Sequence, residues 1–493
     1  MRLKVKLMKW SAGIPVVTLL EKTADKIGVH SGDRISVNTE NTSKGEMSAV
    51  VNTIGKYIRH DEALASSSLM KRFGLRAGQT IEINLAELSK SLFIIKKKLA
   101  GSALNFKEIN QIIKDIVGND LSEAEIALFI SAMSSKGMTE KETIFLIKAI
   151  LNNGEKLKFR QKLVVDKHSI GGIPGNRTTP IVIAICTSLG LIMPKTSSRA
   201  ITSAAGTADT IETLAKVDFS MKQLKKIVDK TGGCLVWGGG LGMVPADSKI
   251  IRIEKKLNID PEAQLLASII SKKLAVGSKY ILIDIPYGKT AKVNYLKAKK
   301  LRRKFISLAN KLGLHIQVVL TRAKEPIGNG IGPALEMMDV LDVLDPNKSG
   351  PADLSEKSIY LSGKILEMTG KAKKGEGINI AAETLSSGKA FDKFKEIIKA
   401  QEGKIVQLEF GKFKKNILSK RTGKVRLMDN KKINALARNA GCPVDKMAGV
   451  YLHVHLGDRV KKGDKLATVY AESKSRLNMA IKFYRDFDGI KVR

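Results

Sequence analysis

The chain is predicted to be an α/β and α+β multidomain protein. It combines a small N-terminal β-barrel-like domain, a helical lobe, an α/β lobe with a mostly parallel sheet, and a C-terminal β-rich module. Three observations predict this. A helix end, a glycine turn and an alternating strand occur twice within residues 1–86. Helix-start signatures crowd residues 87–157, and apolar runs alternate with helical patterns over 158–345. The expected boundaries are 1–86 for an N-terminal assembly domain, 87–157 with about 258–275 for the helical lobe, 158–345 for the α/β lobe, and 346–493 for a C-terminal α+β domain.

In the first domain, Lys4 to Leu7 and Val16 to Leu20 are strand-like. Lys26 to Val29 precedes the alternating run Arg34 to Val37, and Arg72 to Leu75 precedes Thr80 to Ile83, which suggests two pseudo-symmetric halves. Nothing here looks catalytic, and the lone His30 and His60 read as surface residues. In the helical lobe three capping boxes mark helix starts: Asn105 with Glu108, Ser122 with Glu125, and Thr139 with Glu142. The stripes Leu128, Phe129, Ala132, Met133 and Ile144, Ile147, Ile150 read as packing.

The α/β lobe opens with Leu163 to Val165, then Asp166-Lys167-His168-Ser169 and a glycine-rich turn at Gly171, Gly172 and Gly175. Thr179 before Pro180 reads as a helix start. Strand, flexible loop and helix N-terminus in that order make an anion site, because unpaired backbone donors and the positive end of the helix dipole converge. Lys167 adds a charge, and Ser169, Thr178 and Thr179 add hydroxyls. A second such unit follows. Leu191 to Met193 is an apolar run that Pro194 is expected to end, and Lys195 to Asp209 is rich in Ser, Thr and small residues, with Arg199. The two loops are read as lining one pocket for phosphate groups.

Next come an amphipathic helix at Ser220 to Lys230, a glycine-rich stretch at Gly232 to Gly242, and a strand expected at Ile250 to Ile253. Asp260 reads as the N-cap of a helix with Pro261 at its first position. On that helix Gln264, Ser268 and Lys272 share one face. Tyr280 to Ile285 is a buried-type strand closed by Pro286, followed by Lys289, Lys292, a basic helix to about Leu312, a strand at Ile316 to Leu320 and a helix within Gly330 to Leu344. Residues 347–385 read as helical with glycine breaks, and a hairpin-rich module begins near Gly403. His453 and His455 are expected two apart on one strand; no third ligand has matching spacing, so no metal site is expected.

Composition excludes several classes. The three cysteines Cys186, Cys234 and Cys442 are far apart and odd in number, which gives no disulfide framework or metal spacing and fits a reducing cytoplasm. No stretch approaches a membrane span, and the N-terminus lacks an apolar core of signal-peptide length. The net charge of +37 comes from clusters such as Lys96 to Lys98 and Lys299 to Lys304, spread along the chain. It reads as a solvated basic surface or as attraction for anions, from nucleotides to nucleic acid. Aromatics are only 5%, which argues against a stacking platform, so no nucleic-acid partner is expected.

With these residues in view, the chain resembles the thymidine phosphorylase superfamily. The matching segments are Asp166 to Gly172, Ser198-Arg199 with Gly206 to Asp209, Ser268 to Lys273, and Glu325 to Gly328. The Ser198-Arg199-Ala200-Ile201-Thr202-Ser203 loop and the extra N-terminal domain are similar to the archaeal-type AMP phosphorylases; thymidine phosphorylases carry a glycine- and histidine-bearing loop there. Pro174 sits in a loop that is one residue shorter in nucleoside phosphorylases, and Gly240, Gly242 and Met243 find no clear match.

The resemblance implies a helical and an α/β lobe separated by a cleft, and a homodimer that the added domain joins into a larger homo-oligomer. The implied reaction is phosphorolysis of AMP, with CMP and UMP as related substrates, to free base and ribose 1,5-bisphosphate, without cofactor or metal. The alternative is a pyrimidine-nucleoside (thymidine) phosphorylase. Lys167, Ser169, Thr179, Ser197 and Thr207 match the family's phosphate-holding positions. Gly172, Ser198, Arg199, Ala200, Ile201, Thr202, Ser203, Thr207, Ser268 and Lys292 match its nucleotide-holding positions. Asp260 matches the proposed general acid, and His168 is the other candidate. The chemistry needs an anion held against C1′ and a proton for the leaving base.

Overall fold

The structure is a computed structural model that describes residues 1–8, 14–39, 47–85, 89–159, 163–200 and 203–493. It divides into two compact units: residues 1–153 with 245–265, and residues 154–244 with 266–493.

The first unit begins with β1 (Arg2–Met8), β2 (Val16–Leu20), α1 (Glu21–Ile27), β3 (Arg34–Asn38), β4 (Met47–Ile54), β5 (Glu62–Ser66), α2 (Ser67–Phe73) and β6 (Thr80–Leu85). The strands close into a barrel in the order β1-β5-β2-β4-β3-β6. The pairs β1–β5 and β2–β4 are parallel and the others antiparallel. Exchanging β1, β2, α1, β3 for β4, β5, α2, β6 maps every pairing onto another, so the two halves are related by a pseudo-two-fold, as the internal repeat predicts. Gly28 and Gly74 end the two helices in the left-handed region, with φ of 75° and 66°. Leu3, Val17, Leu19, Ile35, Val37, Ile81 and Ile83 fill the interior.

Helices α3 (Lys90–Leu99), α4 (Phe106–Gly118), α5 (Glu123–Lys136) and α6 (Glu140–Asn152) follow. All three expected capping boxes form. The segment expected as a strand at Ile250 to Ile253 is instead part of the helix Pro245–Leu257. Ala246, Ile250 and Ile253 are its buried apolar residues; spacings of four and three place them on one helical face, and Pro245 suits a helix start.

The second unit holds β7 (Val165–Ser169), α7 (Thr178–Ser188), β8 (Met193–Ser197), α8 (Thr207–Ile211), α9 (Met221–Thr231) and β9 (Gly233–Trp237). The helix Pro245–Leu257 is α10, and α11 (Glu262–Ala275) belongs to this unit from Leu266 on. Then come β10 (Tyr280–Tyr287), α12 (Tyr295–Lys311) and β11 (His315–Arg322). Sheets β11-β10-β7 and β8-β9 are parallel, and a parallel bridge between Val164 and Ile192 links them. The resulting order 9-8-7-10-11 reverses direction at β7, so the crevice beyond the C-terminal ends of β7 and β10 is a topological switch point.

Two prolines expected to end strands lie inside them. Pro194 pairs with Cys234 within β8. Met193 N–H bonds toward β9, at Gly232, so the neighbouring Pro194 nitrogen faces the β7 side, where pairing stops at the bridge. Pro286 lies in β10 beyond Asp284, the last residue paired to β7. Strand β9, inside the glycine-rich stretch, was not expected as a strand.

Below the sheet, α7 is buried nearly throughout and packs with α13 (Pro333–Leu344), α14 (Ala352–Met368), α15 (Gly377–Ser386) and α16 (Lys389–Ala400). The short β12 (Gly330–Ile331) leads to a C-terminal module of β13 (Phe413–Leu418), β14 (Gly423–Met428), α17 (Asn430–Ala440), β15 (Gly449–Leu452), β16 (Arg459–Val460), β17 (Lys465–Ala471), α18 (Lys474–Phe487) and β18 (Ile490–Val492). Its main sheet runs β12-β15-β17-β13. His453 and His455 lie past the end of β15 and not on a strand. His453 Nε2 meets Thr468 Oγ1 at 2.8 Å, and His455 lies between Glu325 and Asn329. Among the described residues no helix is long and apolar enough to cross a membrane, and the three cysteines are buried thiols.

Candidate active site

Strand alternation sends neighbouring side chains of β7 to opposite faces. Asp166 takes Lys195 Nζ on Oδ1 at 2.9 Å and Lys273 Nζ on Oδ2 at 2.8 Å, and all three are buried. Lys195 also donates to the Lys167 carbonyl at 2.7 Å, fixing the end of β7. Burial alone would raise the Asp166 carboxyl; the two lysines outweigh it and hold it below its ordinary value. Lys167 points the other way, to Thr178 Oγ1 at 2.6 Å and Thr179 Oγ1 at 3.3 Å. Beyond it Asp284 is paired with Lys357 at 3.0 Å and accepts from Thr321 Oγ1 at 2.6 Å.

Four lysines (Lys167, Lys195, Lys273, Lys357) thus share two carboxylates, Asp166 and Asp284, in a buried cluster. The consequence falls on Lys167. Burial, then Lys357, Lys195 and Arg177, lower its ammonium to about 7 against the opposing pull of Asp284. His168 is half-buried, and burial followed by Lys273, Lys195, Lys272 and Lys167 pushes it well below its ordinary value.

The helix start differs from expectation by two residues. Thr178 is the first residue of α7 and Arg177 is the N-cap, with no side-chain cap. The threonine hydroxyls therefore do not cap the helix and are turned to Lys167. Gly172, at φ 90°, brings the loop against the segment after β10: a Cβ there would stand 2.6 Å from Lys292 Cβ. Gly175 packs so closely on Ile327 that a Cβ would fall 2.0 Å from its carbonyl oxygen.

Arg177 joins this loop to the next. Its Nε donates to Glu336 Oε2 at 2.7 Å, Nη1 to Thr207 Oγ1 at 2.8 Å and Nη2 to the Ala205 carbonyl at 3.0 Å. The second loop is folded around Asp209, whose Oδ2 accepts from the N–H of Ala200 (2.6 Å) and of Gly206 (2.9 Å). Arg199 is held by Glu212, with Nη2 to Oε1 at 2.8 Å, and stacks over Trp237 at 5.2 Å. Glu212 is kept at about 2, chiefly by Arg199, with Lys446 adding to it. The C-terminal module steadies the second loop and the segment after β10: Ala204 N–H donates to Asn434 Oδ1 at 2.7 Å, and Asn430 Nδ2 donates to Thr290 Oγ1 at 2.9 Å.

The structure therefore brings together Lys167, Ser169, Gly172, Thr179, Ser197, Thr207 and Lys292 around the ends of β7, β8 and β10. Asn176 Nδ2 reaches Ser169 Oγ at 3.5 Å, and Ser197 Oγ is buried without a hydrogen-bond partner among the described residues. Ser198 is exposed, and Ser203 donates to the Ala205 carbonyl at 3.0 Å; Ile201 and Thr202 lie outside the described residues. On α11 Ser268 is buried and accepts from Lys272 Nζ at 3.1 Å. Asp260 is exposed in the first unit, just before α11. Sequence reasoning missed Arg177, Asp209, Lys195 as the partner of Asp166, and Lys357. The signal available for Arg177 was its place between a glycine loop and two threonines.

Three family models match the chain. The helical bundle domain of the glycosyl transferase family covers residues 93–154, its a/b domain covers 161–391, and the pyrimidine nucleoside phosphorylase C-terminal domain covers 424–487. The AMP phosphorylase of Pyrococcus horikoshii is 47% identical over 100% of this chain and 98% of its own. That of Methanococcoides burtonii is 41% identical over 98% and 95%. A putative thymidine phosphorylase of Legionella pneumophila is 42% identical over 85% and 81%. Among solved structures, anthranilate phosphoribosyltransferase from Thermus thermophilus shares the fold, with TM-score 0.54 and 16% identity over 63% of this chain and 99% of that one.

Proposed function

This chain belongs to the AMP phosphorylase family, and we propose that it cleaves AMP with inorganic phosphate to adenine and ribose 1,5-bisphosphate, taking CMP and UMP as well. The observation that carries the reading is the end-to-end identity to named AMP phosphorylases, N-terminal barrel included. In the reaction the C1′–N bond breaks and a phosphate oxygen bonds C1′. The base departs with a proton, and monohydrogen phosphate gives one up, so charge and protons balance.

In this reading Lys167, Ser169, Thr179, Ser197 and Thr207 hold the attacking phosphate. The clustered lysines, the hydroxyls and the α7 N-terminus offer donors to an anion. The Ser197 hydroxyl, without a partner among the described residues, fits a ligand oxygen. Gly172, the 198–203 loop, Thr207, Ser268 and Lys292 hold the nucleotide. Asp260 protonates the base. Burial and the surrounding lysines disfavour the protonated imidazole, so His168 is a poor proton donor. The barrel serves assembly into a homo-oligomer, and the enzyme works in the cytoplasm.

The second reading, a thymidine phosphorylase, is favoured by the Legionella relative. Incubation of the purified chain with phosphate and AMP, CMP, UMP or thymidine, followed by chromatography of the released base, separates the two. Adenine release that depends on phosphate supports the first; thymine release with inert AMP overturns it.

A further inference from the structure

We infer that Arg177 is a positioning residue, one that locks the 205–207 segment to the glycine loop and sets the direction in which Thr207 donates its hydroxyl proton. The inference deepens the proposed function, from which it takes the identity of the anion.

A guanidinium has only donors, in a fixed fork. Here each of its three nitrogens is engaged. Nε is bound to Glu336, Nη1 to Thr207 Oγ1 and Nη2 to the Ala205 carbonyl. Glu336 is 1% exposed, and its other oxygen accepts from the Gly332 N–H at 3.3 Å, so the arginine is anchored from behind as well. A hydroxyl has one proton and two lone pairs. Arg177 takes a lone pair of Thr207, so the Thr207 proton must point elsewhere, toward an acceptor. An oxyanion is such an acceptor.

Lys167 in its protonated form, also a pure donor, does the same to Thr178 and Thr179. The two loops therefore present their hydroxyls with the protons already outward, from two sides, and Arg177 is a direct side-chain link between them. A lysine at 177 would keep the charge but lacks the fork: one nitrogen cannot serve Glu336, Thr207 and Ala205 in this geometry.

The test uses the full-length protein and compares wild type, Arg177→Lys and Arg177→Ala. Arg177→Lys is expected to melt near wild type yet raise the phosphate KM by roughly 10-fold or more, the size expected for a lost charge-assisted hydrogen bond, with a smaller change in kcat. Arg177→Ala is expected to lose more, and added guanidinium ion to restore part of the phosphate KM. If Arg177→Ala does not fold, Glu336→Gln replaces it and is expected to raise the phosphate KM in the same sense. A phosphate KM within twofold of wild type in Arg177→Lys overturns the inference. Wild type inert toward AMP would instead remove the proposed function. Calorimetric titration of the same variants with sulfate then reads the Arg177 effect without turnover, and equal sulfate affinity overturns the inference there too.

Discussion

Lys273 Nζ lies 2.8 Å from Asp166 Oδ2, fastening α11 to the strand that carries Lys167. With Lys195 on the other oxygen, Asp166 is the only carboxylate that directly pairs with these two buried ammoniums among the described residues. Asp166→Asn keeps the shape and removes the charge. It is expected to cost roughly 3–5 kcal/mol, as when one partner of a buried ion pair is lost. The measurement is the denaturant midpoint of the full chain, and an unchanged midpoint would sink the idea.

Lys167 yields a pH prediction. Its folded value falls from 10.5 to about 7, so between those limits the folded protein binds fewer protons than the unfolded chain. Stability therefore gains from this group as pH rises through that window. Anion binding works in the opposite direction, because an anion favours the charged lysine. Sulfate has no proton to lose near neutrality and isolates the effect. Its affinity is expected to fall by up to about 10-fold per pH unit above ~7. Calorimetry at pH 8 in two buffers of different ionisation enthalpy should show proton uptake; constant affinity from pH 7 to 9 contradicts it.

Gly172 and Gly171 form a matched pair. Both have positive φ, 90° and 79°, but a Cβ on Gly172 would clash with Lys292 at 2.6 Å, while one on Gly171 meets nothing within 4 Å. Gly172→Ala should push the two loops apart and raise the AMP KM by about 10-fold, in keeping with overpacking of roughly 1–3 kcal/mol. Gly171→Ala should show only the backbone strain. Steady-state kinetics on both variants decides, and equal effects would mean that the close approach is irrelevant.

Asp260→Asn is expected to lower kcat by about 10²–10⁴-fold, the usual worth of a general acid, with AMP binding held within a few-fold. His168→Asn should reduce turnover far less. The reverse ranking would transfer the proton to His168.

Much of this was legible in the residues. Capping boxes are local, i to i+3, so all three that the sequence predicts are found in the structure, and a fourth at Ser220 with Gln223 follows the same pattern. The barrel repeat survived because each half carries its own glycine-ended helix and strand. What failed depends on neighbours. Whether Pro194 or Pro286 ends a strand is settled by which side of it lacks a partner, and that is a property of the sheet. Ile250 to Ile253 is too short an apolar run to separate the two periods. The roles of Arg177 and Lys195 arise from contacts 159 and 29 residues away, beyond any local pattern.

The N-terminal sheet closes on itself, every strand flanked by two others. Such a cylinder has no open rim of amides and carbonyls, so a second chain cannot extend it strand by strand. Recognition of any neighbour by this domain has to be written in outward side chains such as Lys4, Lys6 and Glu82. Contacts of that kind are retuned one residue at a time, with the cylinder itself left intact.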